Sequence, residues 1–391
     1  AGWATLTNAD LTLPSLDANN KVNATVTING GNYEGCEAGY AEGGNSVIYA
    51  SSGNTINIYG GTFTALAEDT VSYANPTYAA LNVADNNGMI NVYGGEFYKQ
   101  NPAAPGTEPK SWNDTHANGF VAEGYNATLV GDYYIVSDSQ IVATADEFAA
   151  AMLSTEENIK VALAADIDVA MRDLGQQTGG SGEYKLGGED TKTITIDLNG
   201  KKLNITTTYM SSIGAKNNDA VFTIKNGTMT STGNSATTWN IYDMTFANCN
   251  YVIEDVDFEK SIAFTNAGKN VTLKNVSIVE SQNLYAMWVS ARGQNIAIDG
   301  LTINAGRGIK IDEQYVDAPA LVTLNVANTT FKTEEKAAIL VKSAAGAEIN
   351  VENIDITGVA ADTTNAVWVD ADSAAHADKV VVNGASCIVE A

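Results

Sequence analysis

The hexapeptide Ile58-Tyr59-Gly60-Gly61-Thr62-Phe63 returns 34 residues later as Val92-Tyr93-Gly94-Gly95-Glu96-Phe97. Both copies follow one pattern: an apolar residue, any residue, then Asn, Asp or Gly, two further residues, and a second apolar residue. Two earlier copies are Leu6-Thr7-Asn8-Ala9-Asp10-Leu11 and Ile28-Asn29-Gly30-Gly31-Asn32-Tyr33. A pattern that recurs at intervals of this size indicates a repeat protein.

A second set of copies lies in the C-terminal half of the chain. The central residues of that set, the third of each copy, are Gly200, Asn226, Asp255, Asn275, Gly300, Asn328, Asn353 and Gly384. Alternating apolar residues precede most copies, as in Ile194-Thr195-Ile196-Asp197-Leu198, and period-two alternation is typical of strands. A sharp bend between two strands requires φ > 0, and Gly, Asn and Asp tolerate that conformation best.

The spacing of the copies predicts a β-solenoid. Neighbouring central residues within each set are 20 to 34 residues apart, which suits one coil of three short strands with loops of variable length. A bent strand pair cannot bury its apolar face alone, so successive coils must stack at about 4.8 Å per coil. Asn and Asp side chains at the bends are then expected to align along one edge.

The pattern is interrupted in the middle of the chain. Residues 101–109 hold three of the six prolines and predict a loop, and residues 121–136 predict a hairpin that closes the first stack. We therefore expect an all-β protein with a first solenoid segment over residues 1–140. A second segment is expected over residues 141–391.

One helix is predicted, near residues 145–154, at the start of the second segment. Thr144-Ala145-Asp146-Glu147 is a capping box, and it precedes an apolar stripe that contains Phe148 and Met152. A strand is expected to follow at residues 161–169. A helix in this position would cover the apolar interior that the first coil of a solenoid leaves open.

The ends of the repeat carry no such cap. The pattern is already running at Leu6, and it continues almost to Ala391. Unpaired strand edges promote association, so we expect further solenoid or other subunits at these ends. Homo-oligomerisation is one way of meeting that requirement.

The charge balance narrows the classes of partner. Lys and Arg total 21 against 46 Asp and Glu, which gives a net charge of −25. A field of this sign repels nucleic acid and anionic membranes. No apolar run is long enough to insert in a membrane, and the three widely spaced cysteines predict neither a disulfide framework nor a metal site.

The repeats resemble the pectate-lyase-like superfamily of right-handed parallel β-helices. The Gly-Gly-x-Phe/Tyr copies near residues 30, 60 and 94, the helix–strand segment 144–169, and residues 193–200 carry the resemblance. It is closest in kind to repeat-rich surface or phage structural proteins of gut bacteria. The superfamily contains lyases and hydrolases as well as tailspikes and adhesins, so the fold alone does not imply a reaction.

The sequence assigns no catalytic residue and no metal site. Arg307-Gly308-Ile309-Lys310 is one residue longer than the Arg-Ile-Lys motif of polygalacturonases, and the paired Asp and the Gly-His-Gly motif of those enzymes are missing. Pectate lyases use Arg or Lys beside bound calcium. Oxygen ligands from Asp312, Glu313 and Asp317 could hold Ca²⁺, although a solvated loop with internal ion pairs explains the same cluster.

A carbohydrate-binding site is the alternative use of this region. Aromatic faces on a flat sheet stack against sugars, while polar side chains take the hydroxyls; such aromatics also commonly fill cores. The candidate binding residues are Trp288, Arg292, Arg307, Lys310, Asp312 and Tyr315.

The resulting hypothesis is a non-catalytic structural or adhesive module of a phage particle or a bacterial surface, possessing a glycan-binding face. The main alternative is a lyase or glycoside hydrolase that acts on an extracellular glycan. A passive spacer without any ligand is the third alternative. Turnover of a polysaccharide would separate the second from the other two.

Overall fold

The chain is an all-β protein. The computed structural model describes residues 9–16, 22–35, 45–50, 53–64, 78–83, 88–103, 119–174, 177–178, 183–206, 212–232, 244–313, 316–333, 337–356, 365–370, 379–385 and 387–390. Most strand pairs within these ranges are parallel, which confirms the predicted class. The structure divides into two compact units, Ala1–Ile141 and Val142–Ala391.

Unit 1 contains short strands in three small sheets, ordered β1-β2-β5-β8, β10-β11-β9-β6-β3 and β4-β7. The strands are β1 (Ala9–Leu16), β2 (Val22–Ile28), β3 (Asn32–Glu34), β4 (Asn45–Ala50), β5 (Thr55–Ile58), β6 (Thr62–Thr64), β7 (Tyr78–Val83), β8 (Met89–Val92), β9 (Gly95–Tyr98), β10 (Asn126–Val130) and β11 (Tyr133–Ser137).

The core of unit 1 is a column of aligned apolar side chains. Tyr33, Phe63 and Phe97 occupy equivalent positions on β3, β6 and β9, and their rings stack with centroids 5.0 and 4.9 Å apart. Ile28, Ile58 and their neighbours fill the remaining interior. The apolar residues that end each sequence copy therefore pack against one another, as expected of stacked repeats.

The bends of unit 1 differ from the sequence prediction by one residue. Positive φ occurs at Gly31, Gly61 and Gly95, the second glycine of each pair, and not at the predicted central residue. In the last copy the first glycine meets another constraint, because a Cβ at Gly94 would collide with the carbonyl oxygen of Tyr59. In that copy Gly94 allows the close approach of the Tyr59 backbone, and Gly95 forms the bend. The predicted central residue of the earliest copy, Asn8, lies outside the described residues.

The predicted hairpin closes the strand stack of unit 1. β10 and β11 pair antiparallel around Gly131, and β11 continues antiparallel along β9. Most of the predicted loop 101–109 lies outside the described residues.

Unit 2 begins at helix α1 (Ala145–Met152), which confirms the predicted helix. Thr144 accepts a hydrogen bond from the Glu147 backbone N–H, and the Glu147 carboxylate accepts from the backbone of the cap residue, so the capping box is complete. The buried Phe148 and Met152 place the helix against β13 (Asn158–Leu163) and β14 (Ile167–Ala170). The predicted strand 161–169 is thus two strands separated by a bend.

The remaining elements of unit 2 belong to one 22-stranded sheet that starts at β12 (Gln140–Val142). A short 3₁₀ helix spans Met171–Leu174. The other strands are β15 (Gln177–Thr178), β16 (Glu183–Leu186), β17 (Thr193–Asp197), β18 (Lys202–Thr206), β19 (Ser212–Ala215), β20 (Val221–Thr232), β21 (Met244–Phe246), β22 (Asn250–Phe258), β23 (Ile262–Phe264), β24 (Asn270–Lys274), β25 (Ser277–Ser290), β26 (Asn295–Asp299), β27 (Thr302–Asp312), β28 (Val322–Lys332), β29 (Ala337–Lys342), β30 (Ala347–Ile356), β31 (Asn365–Asp370), β32 (Val380–Asn383) and β33 (Cys387–Glu390).

The parallel pairings of unit 2 form three rows of stacked strands. The first row runs through β24, β26, the start of β28, the start of β30, and β32. The second row contains the first halves of β25 and β27 and the later part of β28. The third row contains the second halves of β25 and β27, then β29, β31 and β33.

A residue with positive φ separates the first row from the second at each level. The predicted central residues all adopt this conformation: Gly200, Asn226, Asp255, Asn275, Gly300, Asn328, Asn353 and Gly384. Several also bond to one another along the stack, since Asn353 Nδ2 donates to Asn328 Oδ1 at 2.7 Å and Asn275 Nδ2 donates to Asp255 Oδ1 at 3.0 Å. The sequence prediction of aligned amides at the bends is confirmed for these residues.

The interior between the rows of unit 2 is apolar and continuous, from Phe148 to Val369. Cys249 is buried within it, and burial raises the pKa of its thiol. Within the described ranges, no helix is long and apolar enough to cross a membrane.

Candidate functional site

Four of the six predicted site residues lie on two adjacent strands of the third row. Trp288 is on β25, and Arg307, Lys310 and Asp312 are on β27. The register pairs Trp288 with Lys310, whereas Arg307 pairs with Tyr285, which the sequence analysis did not select. We call Tyr285, Trp288, Arg307, Lys310 and Asp312 the Trp288 face.

Strand alternation turns Trp288 and Lys310 of this face away from the core, whereas Tyr285 and Arg307 lie on the alternate positions. Met287 and Val289, on either side of Trp288, are fully buried in the interior cluster. Successive side chains of a strand point to opposite sides, so Trp288 is directed outward, where it is half-buried. The same alternation places Ile309 and Ile311 inside and Lys310 outside.

Two cations of the Trp288 face lie close to the ring of Tyr285. The Arg307 guanidinium carbon lies 5.2 Å from the ring centroid, and Lys310 Nζ lies 5.5 Å from it. A cation this close to an aromatic ring is attracted by the ring quadrupole. Tyr285 therefore offsets the repulsion between two neighbouring positive charges.

Lys310 and Asp312 form an ion pair that is nearly closed to solvent. Lys310 Nζ contacts Asp312 Oδ2, and the two side chains are 15% and 4% exposed. A buried carboxylate requires a paired cation, because the loss of hydration is costly. Asp312 thus neutralises Lys310, and with 4% of its side chain exposed it offers almost no surface to a ligand.

Arg292 is connected to the Trp288 face by a hydrogen bond to Ser290. Its Nε donates to Ser290 Oγ at 3.0 Å, and Ser290 is aligned with Asp312 in the adjacent strand. Arg292 is thus a third cationic side chain beside Arg307 and Lys310.

The row of Trp288 continues beyond β27 to a second tryptophan. Lys310 is aligned with Leu340 on β29, and Leu340 is aligned with Trp368 on β31. Trp368 is half-buried like Trp288, and three strand steps separate the two by about 14 Å. Beside this row, Lys342 Nζ pairs with Asp370 Oδ2 at 3.1 Å.

The three residues predicted as calcium ligands have separate surroundings and do not form a metal site. Asp312 pairs with Lys310, the Glu313 carboxylate accepts from the Ala344 backbone N–H, and Asp317 is exposed. Among the described residues, no group of three or more His, Cys, Asp or Glu side chains is arranged to hold a metal ion. Tyr315 lies outside the described residues.

No protein family matches this chain, and no curated protein or solved structure matches it either. The resemblance to pectate-lyase-like proteins therefore remains an expectation from sequence. The function must be inferred from the residues and their geometry.

Tyr285 and Trp368 could not be selected as site residues from the sequence alone. Tyr285 is one of 17 tyrosines, and its neighbour Arg307 is 22 positions away while the preceding part of the same strand pairs at 25. Trp368 is 80 positions beyond Trp288, and only the register of two intervening strands shows that they share a row.

Proposed function

We propose that the chain is a right-handed parallel β-helix in two segments, of the pectate-lyase-like kind. The support is the offset of its parallel pairs, which ranges from 18 residues (Met244 to Ile262) to 36 residues (Ile167 to Leu203). One bend residue with positive φ per level, and a continuous apolar interior, also fit that architecture.

Its function, on this proposal, is that of a non-catalytic structural or adhesive module on a phage particle or a bacterial surface, where it binds glycans through the Trp288 face. The observation that carries the proposal is the row of aligned residues that joins Trp288 to Trp368 through Lys310 and Leu340 on adjacent parallel strands. The acidic charge of the chain and its long repeat agree with a solvated external structure.

The chemistry of the face suits a sugar. An indole ring offers an apolar surface against which a sugar ring stacks. Arg307, three positions before the Lys310 that is aligned with Trp288, carries guanidinium donors that hydroxyl or carboxylate oxygens accept. Both cations are held by Tyr285, so little side-chain entropy remains to be lost on binding.

The ion pair of the face favours binding over catalysis. Glycoside hydrolysis uses two carboxyl groups on either side of the scissile bond. Asp312 is the one carboxylate of the Trp288 face, and it is buried against Lys310. Turnover at this face would require the pair to open.

The test is a glycan array probed with the whole chain and with Trp288→Ala. We expect binding of a subset of glycans by the native chain and at least a tenfold loss in Trp288→Ala, because the stacking surface is removed. Tyr59→Ala is the control, since Tyr59 is 52% exposed but lies in unit 1; it should bind normally.

A blank array, or equal binding by Trp288→Ala, would refute the proposed function. The same glycans should be incubated with the native chain and assayed for new reducing ends and for unsaturated products. Turnover that disappears in Arg307→Ala would establish the enzyme alternative instead.

A further inference from the structure

A concave surface lies on the outer side of the first row of unit 2. It is a shallow groove of about 660 Å³ that crosses β24, β26, β28, β30 and β32. Four strand steps give it a length of about 19 Å along the stacking direction. Its lining shares no residue with the Trp288 face, which is in the third row.

One wall of the groove is a ladder of asparagine amides. Asn350 Nδ2 donates to Asn325 Oδ1 at 2.9 Å, and Asn383 Nδ2 donates to Asn350 Oδ1 at 2.8 Å. Each amide has two N–H donors and two acceptor lone pairs. The ladder uses one of each on Asn350, so a second donor and a second acceptor are left to face a ligand.

The opposite wall carries charged side chains and a gap. Lys274, Asp299, Ala327 and Glu352 are aligned on successive strands. Because Ala327 has no more than a methyl group, the wall is open between Asp299 and Glu352. Those two carboxylates accept hydrogen bonds from hydroxyls and repel anions, so the groove favours an uncharged ligand that is rich in donors.

The amide wall has a similar opening. Ala297 stands between Thr272 and Asn325 in the same row, and its side chain is exposed. Beyond Ala297, the amides of Asn325, Asn350 and Asn383 lie on successive strands and repeat at the strand spacing of about 4.8 Å. An extended linear glycan advances by one sugar ring over a similar distance, so successive rings can meet successive amides in the same way.

We propose that this groove binds a neutral, extended glycan chain that lies along the stacking direction, with its hydroxyls bonded to Asn325, Asn350 and Asn383. The site is independent of the Trp288 face, and it gives the protein a second mode of holding a linear polysaccharide. Its hydrogen bonds repeat along the chain, so affinity grows with the number of sugar rings that it engages.

The experiment is affinity electrophoresis of the full chain in gels containing hydroxyethylcellulose, galactomannan or, as an anionic probe, alginate. We expect one of the neutral polymers to retard the native chain. Asn350→Ala, which interrupts the ladder, and Ala297→Leu, which fills the groove without adding a sugar-stacking ring, should each weaken retardation at least tenfold. Unfolding curves of both variants establish that they are folded.

Asn270→Ala is the matched control. Asn270 also bonds to amides of the neighbouring strands, from Asn295 Nδ2 at 3.3 Å and to Asn250 Oδ1 at 3.4 Å, but it does not line the groove. It should bind the neutral polymer like the native chain. Trp288→Ala should also bind it normally, which separates this site from the proposed function.

Several results would overturn the proposal. The native chain would pass unretarded through both neutral gels, or Asn350→Ala and Ala297→Leu would be retarded as strongly as the native chain. A native dimer in sedimentation that Ala297→Leu converts to a monomer, without retardation by glycans, would assign the groove to a second copy of this chain.

Discussion

Replacing Lys310 by methionine removes the cation from a buried ion pair while keeping the length of the side chain. Asp312, whose side chain is 4% exposed, would then be left as a desolvated carboxylate. Breaking such a pair from one side costs about 3–5 kcal/mol. We expect about 3 kcal/mol, because Lys342 is aligned with Asp312 on the next strand and supplies a second positive charge.

A loss of this size lowers the folding equilibrium constant by roughly a hundredfold. The measurement is urea unfolding of the native chain and of Lys310→Met, followed by far-ultraviolet circular dichroism. The double variant Lys310→Met/Asp312→Leu removes both charges, and it should lie within about 1 kcal/mol of the native chain. A native midpoint for Lys310→Met, or a double variant as unstable as the single one, would refute the burial argument.

Two further predictions concern the backbone and the helix cap. Gly308→Ala should lower the free energy of unfolding by about 1–3 kcal/mol, because its Cβ would collide with the Ala338 carbonyl oxygen, whereas Gly30→Ala, which has open space, should not. The pKa of Glu147 is lowered from 4.5, chiefly by the Ala143 backbone N–H, so its stabilisation is full above pH 4.5 and disappears as the pH falls through the lower folded pKa. The midpoint difference between the native chain and Glu147→Gln should therefore shrink in acid, and a difference that is constant from pH 7 to pH 2 would contradict this.

The bends of unit 2 were predictable because one residue decides each of them. Asn275 and Asn353 are each flanked by a charged residue and a β-branched residue, so at those bends they alone readily take the positive φ that the bend needs. In unit 1 the copies carry two adjacent glycines, and either can adopt that conformation. The second glycine takes it in all three described copies, including the one in which Gly30 has open space around it, and no local pattern encodes that choice.

The composition of the candidate site was only partly predictable. The cluster from Trp288 to Asp312 was apparent as a concentration of aromatic and charged residues in one stretch. Its partners depend on an irregularity in β25, where the pairing offset to β27 changes from 25 residues at Glu280 to 22 at Tyr285. A fixed offset of 25 residues does not pair Arg307 with Tyr285, so the contact between the Arg307 guanidinium and the Tyr285 ring could not be predicted from the sequence.

The short reach of the strand pairings bears on how the protein folds. Among the residues that the structure describes, partners in parallel pairs are at most 36 positions apart, as from Ile167 to Leu203, in a chain of 391 residues. Parallel sheets are usually slow to assemble because distant segments must first find each other. Here every level needs only the one before it, so ordering can spread outward from any completed level as a growing front. Newly synthesised chain would add to that front without waiting for its C-terminal end.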